Sequence, residues 1–503
     1  MSKKDQQRQV AELVSRFAEG VTSGDMDMNE GEAIIGALHD LADEAEHYVV
    51  NLLSSPDEDT RSVALILMRE LGTRSGVRPL RRMLRSKEYS DQEKLMIIQT
   101  LEVLGSPVDE ATFRRAISDP EALIQESLEQ MLGLIQQPEH VEEFLEVTEE
   151  APPDVTETYV HDILAPLEDS RLTLLLAAML YHRDDHVILA AIDSLERLRD
   201  TSVIPILEER GQYDPSQLVR HAAENAALRL RVRVGEPEEG LPDWMPVSSL
   251  PVSACLICTI DGGGGQVLFV VRERPDGDLQ VVDYLFNDRE GIKECFSAIV
   301  SEEEFRDMLA AFDGTTFVDL RLERARAEVE RAVQTALRAR RRLPPPFLAW
   351  RGWVEGEDER EVEEFPMPEL PASYWDDFLD ESTDLLDLEE FDYWFFNPDE
   401  IPAFASRFNR LIRRRRAEPG HPALETLIDE ALDALFDDRR RRLYAARLRR
   451  QGWLLAQIYD DVSIPLYAQT AAEAIEEGII RDHPLLRAIM YRSLLNAAGL
   501  YNP

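Results

Sequence analysis

The sequence predicts a multidomain, mainly α protein: a solenoid of helical hairpins, then a small α+β module, then a helical C-terminal domain. Three observations predict it. Between His47 and Val234 a phrase of acid, apolar helix, glycine and second apolar helix recurs, and a recurrence near thirty residues marks a repeat array. After Pro242 the apolar residues stop following the helical period and form short runs bounded by Gly, Pro and Asp, the pattern of strands and turns. From Ile401 onward the helical period returns.

In the first copy, Ser55-Pro56-Asp57 leads into Val63 to Met68 and Leu71-Gly72, and the second helix carries Val77, Pro79, Leu80 and Met83. Asp91 leads into Leu95 to Ile98, Leu101 and Leu104-Gly105, and Asp119-Pro120 leads into Leu123, Leu128 and Leu132. Late copies start at Asp184-Asp185 and at Asp214-Pro215-Ser216. The starting acids Asp57 and Asp91 are 34 residues apart, Asp91 and Asp119 28, and Asp185 and Asp214 29. An acid or serine before a helix accepts hydrogen bonds from its free amides, and proline fits the first turn. Glycine closes the first helix by adopting a left-handed conformation at little cost. Apolar residues three and four apart give each helix one stripe that only a neighbouring hairpin can cover.

This phrasing resembles HEAT-like repeats, particularly the short bacterial kind first named in phycobilisome-lyase proteins. Asp57 and Arg61 in an Asp-x-x-x-Arg phrase carry the resemblance, with Val77-Arg78-Pro79-Leu80 and its echo Val203-Ile204-Pro205-Ile206. It covers residues ~30–234 and implies architecture rather than activity. HEAT-like deoxyhypusine hydroxylases hold two irons through His-Glu dipeptides, and this chain contains none. Bilin lyases share the repeats, but no residue set here singles out tetrapyrrole chemistry. No cofactor is expected.

With 503 residues, 44% of them hydrophobic, the chain can form several real cores. Its net charge of −43 makes nucleic acid and anionic membranes poor partners, since phosphates are bound by neutralising them. Met1 to Arg8 has no apolar core behind it, so it does not read as a signal peptide. The apolar run Leu172 to Tyr181 is too short to span a bilayer. Three cysteines, Cys255, Cys258 and Cys295, suit a reducing compartment. These features predict a cytoplasmic protein.

Residues 1–234 are expected to form the repeat array, with an N-terminal cap built on Val10, Leu13, Val14, Phe17, Ile34, Ile35 and Leu38. Around Ala151-Pro152-Pro153 the phrasing breaks, and Leu172 to Leu180 is apolar almost all round, which predicts a buried, irregular repeat. His182 and His186 have the spacing of metal ligands on a helix face. Asp184-Asp185 between them marks a helix start, however, so a capped turn is the preferred reading.

Residues 235–246 read as a linker and 247–354 as the α+β module. Its strands are Val252 to Ile260, Gln266 to Glu273 and Leu279 to Phe286, joined by Asp261-Gly262-Gly263-Gly264-Gly265 and Arg274 to Asp278 as hairpin loops. A helix from Glu302, a short strand at Thr315 to Val318, a long helix from Leu320 to Arg341 and a last strand at Phe347 to Val354 follow. Cys255 and Cys258 have redox or zinc spacing but lie inside a strand and read as buried small hydrophobes. The glycine run lacks the Lys-Ser/Thr of a phosphate loop and reads as a flexible hairpin. The order strand-strand-strand-helix-strand-helix-strand is similar to the ribonuclease-H-like fold. That likeness implies Asp261, Asp319 and Glu290 or Glu294 as metal-binding carboxylates of a nuclease-type enzyme, the alternative to a non-catalytic module.

Residues 355–400 hold 19 acids against Arg360 alone, and nine aromatics. Disordered linkers have few aromatics, so this strip should dock, with Tyr374, Trp375, Tyr393, Trp394, Phe395 and Phe396 as its contacts. Intramolecular docking is preferred over a basic partner, with the arginine runs beginning Arg413-Arg414 and Arg439-Arg440 as counterpart. Residues 401–503 are expected to be a helical domain, one helix of which carries Leu443, Ala446, Trp453, Leu454 and Ile458. The functional reading is a non-catalytic scaffold that binds a protein partner on the solenoid surface.

Overall fold

A computed structural model describes residues 3–23, 28–238, 240–312, 315–356 and 375–501. The chain is mainly helical and divides into two compact units, Met1–Met131 and Leu132–Pro503. Among the described residues no helix is long and apolar enough to cross a membrane.

In the first unit, helices Lys3–Ser23, Met28–Asp40 and Ala42–Leu52 precede the hairpins Glu58–Glu70 with Val77–Met83 and Asp91–Val103 with Glu110–Ala116. Their core joins Val10, Phe17 and Leu38 to Leu65, Leu67, Leu80 and Leu101. Asp57 accepts the Thr60 amide at 2.8 Å and so caps its helix. At the next copy Ser90, not Asp91, is the cap, in a reciprocal pair with Glu93. Asp91 instead accepts the amides of Ser118 and Asp119, at 2.8 and 2.9 Å, tying its helix to the loop one copy later. Arg61 of the Asp-x-x-x-Arg phrase donates to Glu93 at 2.6 Å, linking successive hairpins.

The second unit opens with helices Pro138–Glu150 and Pro153–Tyr159, then Thr173–Met179, Asp185–Leu198, Ile204–Tyr213 and Gln217–Arg233. Every residue of Thr173–Met179 is buried, in keeping with its all-round apolarity.

Five strands follow: β1 (Val252–Cys258), β2 (Gly265–Glu273), β3 (Leu279–Asn287), β4 (Gly291–Val300) and β5 (Phe317–Asp319). They form one sheet in the order β4-β3-β2-β1-β5, with every neighbouring pair antiparallel. One face packs Phe269 on Phe305, Phe312 and Phe317. Helix Leu322–Arg338 lies along the sheet.

Two expectations for this module are corrected. β4 was not foreseen, so four strands rather than three precede the helix Glu302–Ala310. Phe347 to Val354 is not a strand: Pro345–Trp350 is a helix and Arg351–Val354 a 3-10 turn. The prolines at 344–346 start that helix, where no amide donor is needed, and Trp350 packs edge-on to Trp353 at 5.2 Å.

The C-terminal helices Pro402–Arg413, Pro422–Leu435, Asp438–Ile458, Ser463–Glu477 and Pro484–Ala497 share one core. That core also takes Leu385, Phe391, Trp394 and Phe396 from the acidic strip and Ile260 from the loop just after β1.

Candidate functional site

Within the second unit the repeat helices and the sheet are joined by buried polar contacts. The Glu142 carboxylate, on helix Pro138–Glu150, accepts the Ser297 amide at 3.0 Å, the Ser297 hydroxyl at 2.8 Å and the Trp350 indole N–H at 2.7 Å. Ser297 lies on β4, so a helix carboxylate satisfies an amide that an edge strand would otherwise leave open. Burial raises the Glu142 pKa, and the Ser297 and Trp350 donors oppose that rise. Arg342, beyond the long helix, donates to Asp185 at 2.6 Å and to Asp214 at 2.9 Å. The starting acids of the two late repeats are thus bound by one guanidinium from the α+β module.

The last repeat helix, Gln217–Arg233, divides cleanly. Val219, Ala223, Ala226, Ala227 and Leu230 turn inward. Leu218 and Leu228, each 58% exposed, and Val232, 76% exposed, share the opposite face, within about a quarter turn of one another at 3.6 residues per turn.

His182 is buried, and its Nδ1 accepts the Asp184 amide at 3.0 Å; Asp184 accepts the His186 amide at 2.8 Å, and His186 is exposed. The His182 ring and the Asp184 carboxylate therefore cap a turn, and His186 joins it only through its backbone amide. Cys255 and Cys258 are free and buried in β1, and burial pushes each thiol up to about 12.

The glycine run, expected to be a flexible hairpin, is held by the backbone of residues 393–395 and by Asp288 and Arg447. The Gly262 amide donates to the Tyr393 carbonyl at 3.2 Å, and a Cβ at Gly262 would stand 2.7 Å from the backbone of residues 393–395. Gly264 has φ of +89°, and a Cβ there would strike Asp288 and Arg447. Arg447 is buried; it grips Asp288 through two bonds of 2.8 and 2.9 Å and donates to the carbonyls of Gly262 and Gly263. These glycines are required by close approach rather than by a tight turn alone.

Around this loop lies an open cavity of about 620 Å³. Of the predicted residues it gathers Asp261, Tyr393, Phe395, Arg439 and Arg440, and it adds Arg289, Glu400 and Arg447. Glu400 sits between Arg440 at 2.9 Å and Arg289 at 3.2 Å. Burial would raise the Glu400 pKa, but the two arginines outweigh it and hold the carboxyl below its ordinary value. The Arg440 guanidinium also lies 5.1 Å from the Phe396 ring.

The structure places the remaining candidates elsewhere. Glu290 pairs with Arg341 at 3.1 Å. Glu294 is exposed on β4, opposite Leu285, and Asp319 is exposed on β5, opposite Leu256. Among the described residues no three His, Cys, Asp or Glu side chains gather as a metal site. Arg413 and Arg414 are exposed at a helix end. Tyr374 lies outside the described residues, and the Trp375 indole donates to Glu473 at 3.3 Å. Trp394 and Phe396 are fully buried, Phe395 is half-buried, and Tyr393 is 47% exposed.

On helix Asp438–Ile458 the inward face carries Tyr444, Arg447, Leu448 and Gln451, while Ala446 is exposed and Leu443 half-buried. Sequence reasoning missed Arg447, Arg450 and Gln451 because arginine and glutamine ordinarily face water. Their partners are distant in the chain: Asp288 for Arg447, Glu328 for Arg450 and the Ile260 amide for Gln451.

Residues 141–227 match the family model for HEAT repeats. No curated protein matches the chain. The span from helix Pro138–Glu150 to helix Gln217–Arg233 is therefore a HEAT-like repeat segment, and the hairpin phrase that suggested the resemblance recurs before it.

Proposed function

We propose that this protein is a non-catalytic scaffold that binds a protein partner on its HEAT-like repeat surface. The family match at residues 141–227 is the observation that carries the reading, because stacked helical hairpins present long surfaces suited to protein partners. The exposed face of Gln217–Arg233 supplies a place for it: Leu218, Leu228 and Val232 offer apolar side chains with no covering helix among the described residues. A net charge of −43 favours a partner with a basic surface, drawn in by long-range attraction.

Affinity capture from the source cell by the full-length protein, read by mass spectrometry, tests the reading against a Leu228→Asp, Val232→Asp variant. Both side chains face water, so the variant should melt like the wild type. A protein retained by the wild type and lost by the variant supports the proposal. Equal recovery on both places the binding surface elsewhere. The metal-dependent nuclease-type reading of residues 247–354 predicts instead that magnesium binds with measurable heat and that Asp261→Asn abolishes the heat and any cleavage of nucleic acid.

A further inference from the structure

The cavity beside the glycine run has a composition unlike the rest of this acidic chain. Arg289, Arg439, Arg440 and Arg447 line it against Asp261, Glu400 and Asp437. Two of those acids are occupied locally: Asp437 accepts the Arg440 amide at 2.7 Å, and Asp261 accepts the Gly265 amide at 2.8 Å. Glu400 is shared between two arginines. Arg447 is spent on Asp288 and the glycine carbonyls and acts as wall.

That leaves real donor capacity. A guanidinium has five N–H donors. Arg440 gives Nη2 to Glu400, and Arg289 gives Nη1 to Glu400 and Nη2 to the Gly263 carbonyl at 3.5 Å. Arg439 is exposed and makes no ion pair among the described residues. The bridge at Glu400 shows that Arg289 and Arg440 can hold a planar oxyanion between them. The walls also carry rings, with Tyr393 47% exposed and Phe395 half-buried. A volume of about 620 Å³ falls within the ordinary range for small-molecule sites. Distant carboxylates do not forbid an anion here, because charges separated by more than about 8 Å are screened at physiological salt.

We propose that this cavity binds a small organic oxyanion, a phosphate or carboxylate carried on a flat ring. The anionic group lies on Arg439 and the unused donors of Arg289 and Arg440, and the ring lies against Tyr393 and Phe395. The bidentate fit of arginine to either oxyanion supplies the recognition, and the aromatic wall favours a ring over a bare ion.

Calorimetry on the full chain at low ionic strength, with phenyl phosphate, benzoate and inorganic phosphate as probes, tests this. The expected result is one site for phenyl phosphate or benzoate, whichever wins naming the oxyanion, with inorganic phosphate weaker than phenyl phosphate. Arg439→Gln should weaken the ring-bearing probe at least tenfold. Tyr393→Ala should weaken it too, while leaving inorganic phosphate unchanged. Both side chains are substantially exposed, so both variants should melt like the wild type, and Arg413→Gln with Arg414→Gln should bind like the wild type. Absence of binding by all three probes overturns the proposal, as does binding that neither variant alters. These outcomes are independent of partner capture on the repeat surface.

Discussion

The indole N–H of Trp394 donates to the carbonyl of Ile260 at 2.9 Å. The amide of the same Ile260 donates to Gln451 at 2.9 Å, so the segment leaving β1 is held by the acidic strip on one side and by the C-terminal helices on the other. Trp394 also meets Phe391 at 4.7 Å and Tyr444 at 6.2 Å. Trp394→Ala should therefore cost about 3–5 kcal/mol, since it opens a core cavity and strands a carbonyl. Arg439→Ala should cost less than about 0.5 kcal/mol, because the side chain is exposed. Urea unfolding of the two variants checks the contrast, and limited proteolysis should show faster cutting between residues 375 and 400 in the first variant only.

Gly262→Ala tests the close approach of loop and strip. Its Cβ would meet backbone atoms at 2.7 Å, and backbone cannot step aside as a flexible side chain would. A loss of about 1–3 kcal/mol is expected. Gly277→Ala is not a neutral control, because Gly277 has φ of +97°, but Gly36→Ala meets nothing within 4 Å and should be tolerated.

Leu195 is fully buried in helix Asp185–Leu198. Leu195→Asp should remove more than about 4 kcal/mol, the range reached when an unpaired charge enters a core. Thermal melting close to wild type would contradict the buried hairpin stack of the HEAT-like segment.

The contact between repeat and sheet should also show in the pH dependence. Burial pushes the Asp283 carboxyl up to about 7; the Phe296 amide opposes this, and the charges of Glu142 and Glu294 add to it. An unfolded aspartate titrates near 3.9, so the folded state retains a proton that the unfolded state releases. The contribution is fully present below about pH 4 and is lost as pH rises through about 7. Asp283→Asn should remove that slope, so the variant gains on the wild type steadily from pH 4 to pH 7 in denaturant melts. Parallel curves over that range would contradict it.

What the sequence made legible follows from the physics of each signal. Starting acids, apolar spacing and glycine stops are local, and they marked the hairpins from Glu58–Glu70 to Gln217–Arg233. β4 escaped because it is an edge strand: Lys293, Glu294, Phe296 and Ile299 are exposed, which erases the alternation that marks a half-buried strand. Of the site, the run at 393–396 stood out because four aromatics among carboxylates demand cover. Which of them turn inward depends on the path of the chain, and Tyr393 remains largely in water. Arg447 and Arg450 were invisible because their burial depends on Asp288 and Glu328, more than a hundred residues away. No local pattern announces such a pairing.

The proposed partner surface is the HEAT-like segment and not the C-terminal helices. Photo-crosslinking groups placed singly at Leu228 and at Val462, which are 58% and 62% exposed, compare the two surfaces directly in the source cell. A discrete cross-linked product with another protein is expected from position 228 and none from position 462. A product from position 462 alone, or none from position 228, would contradict it.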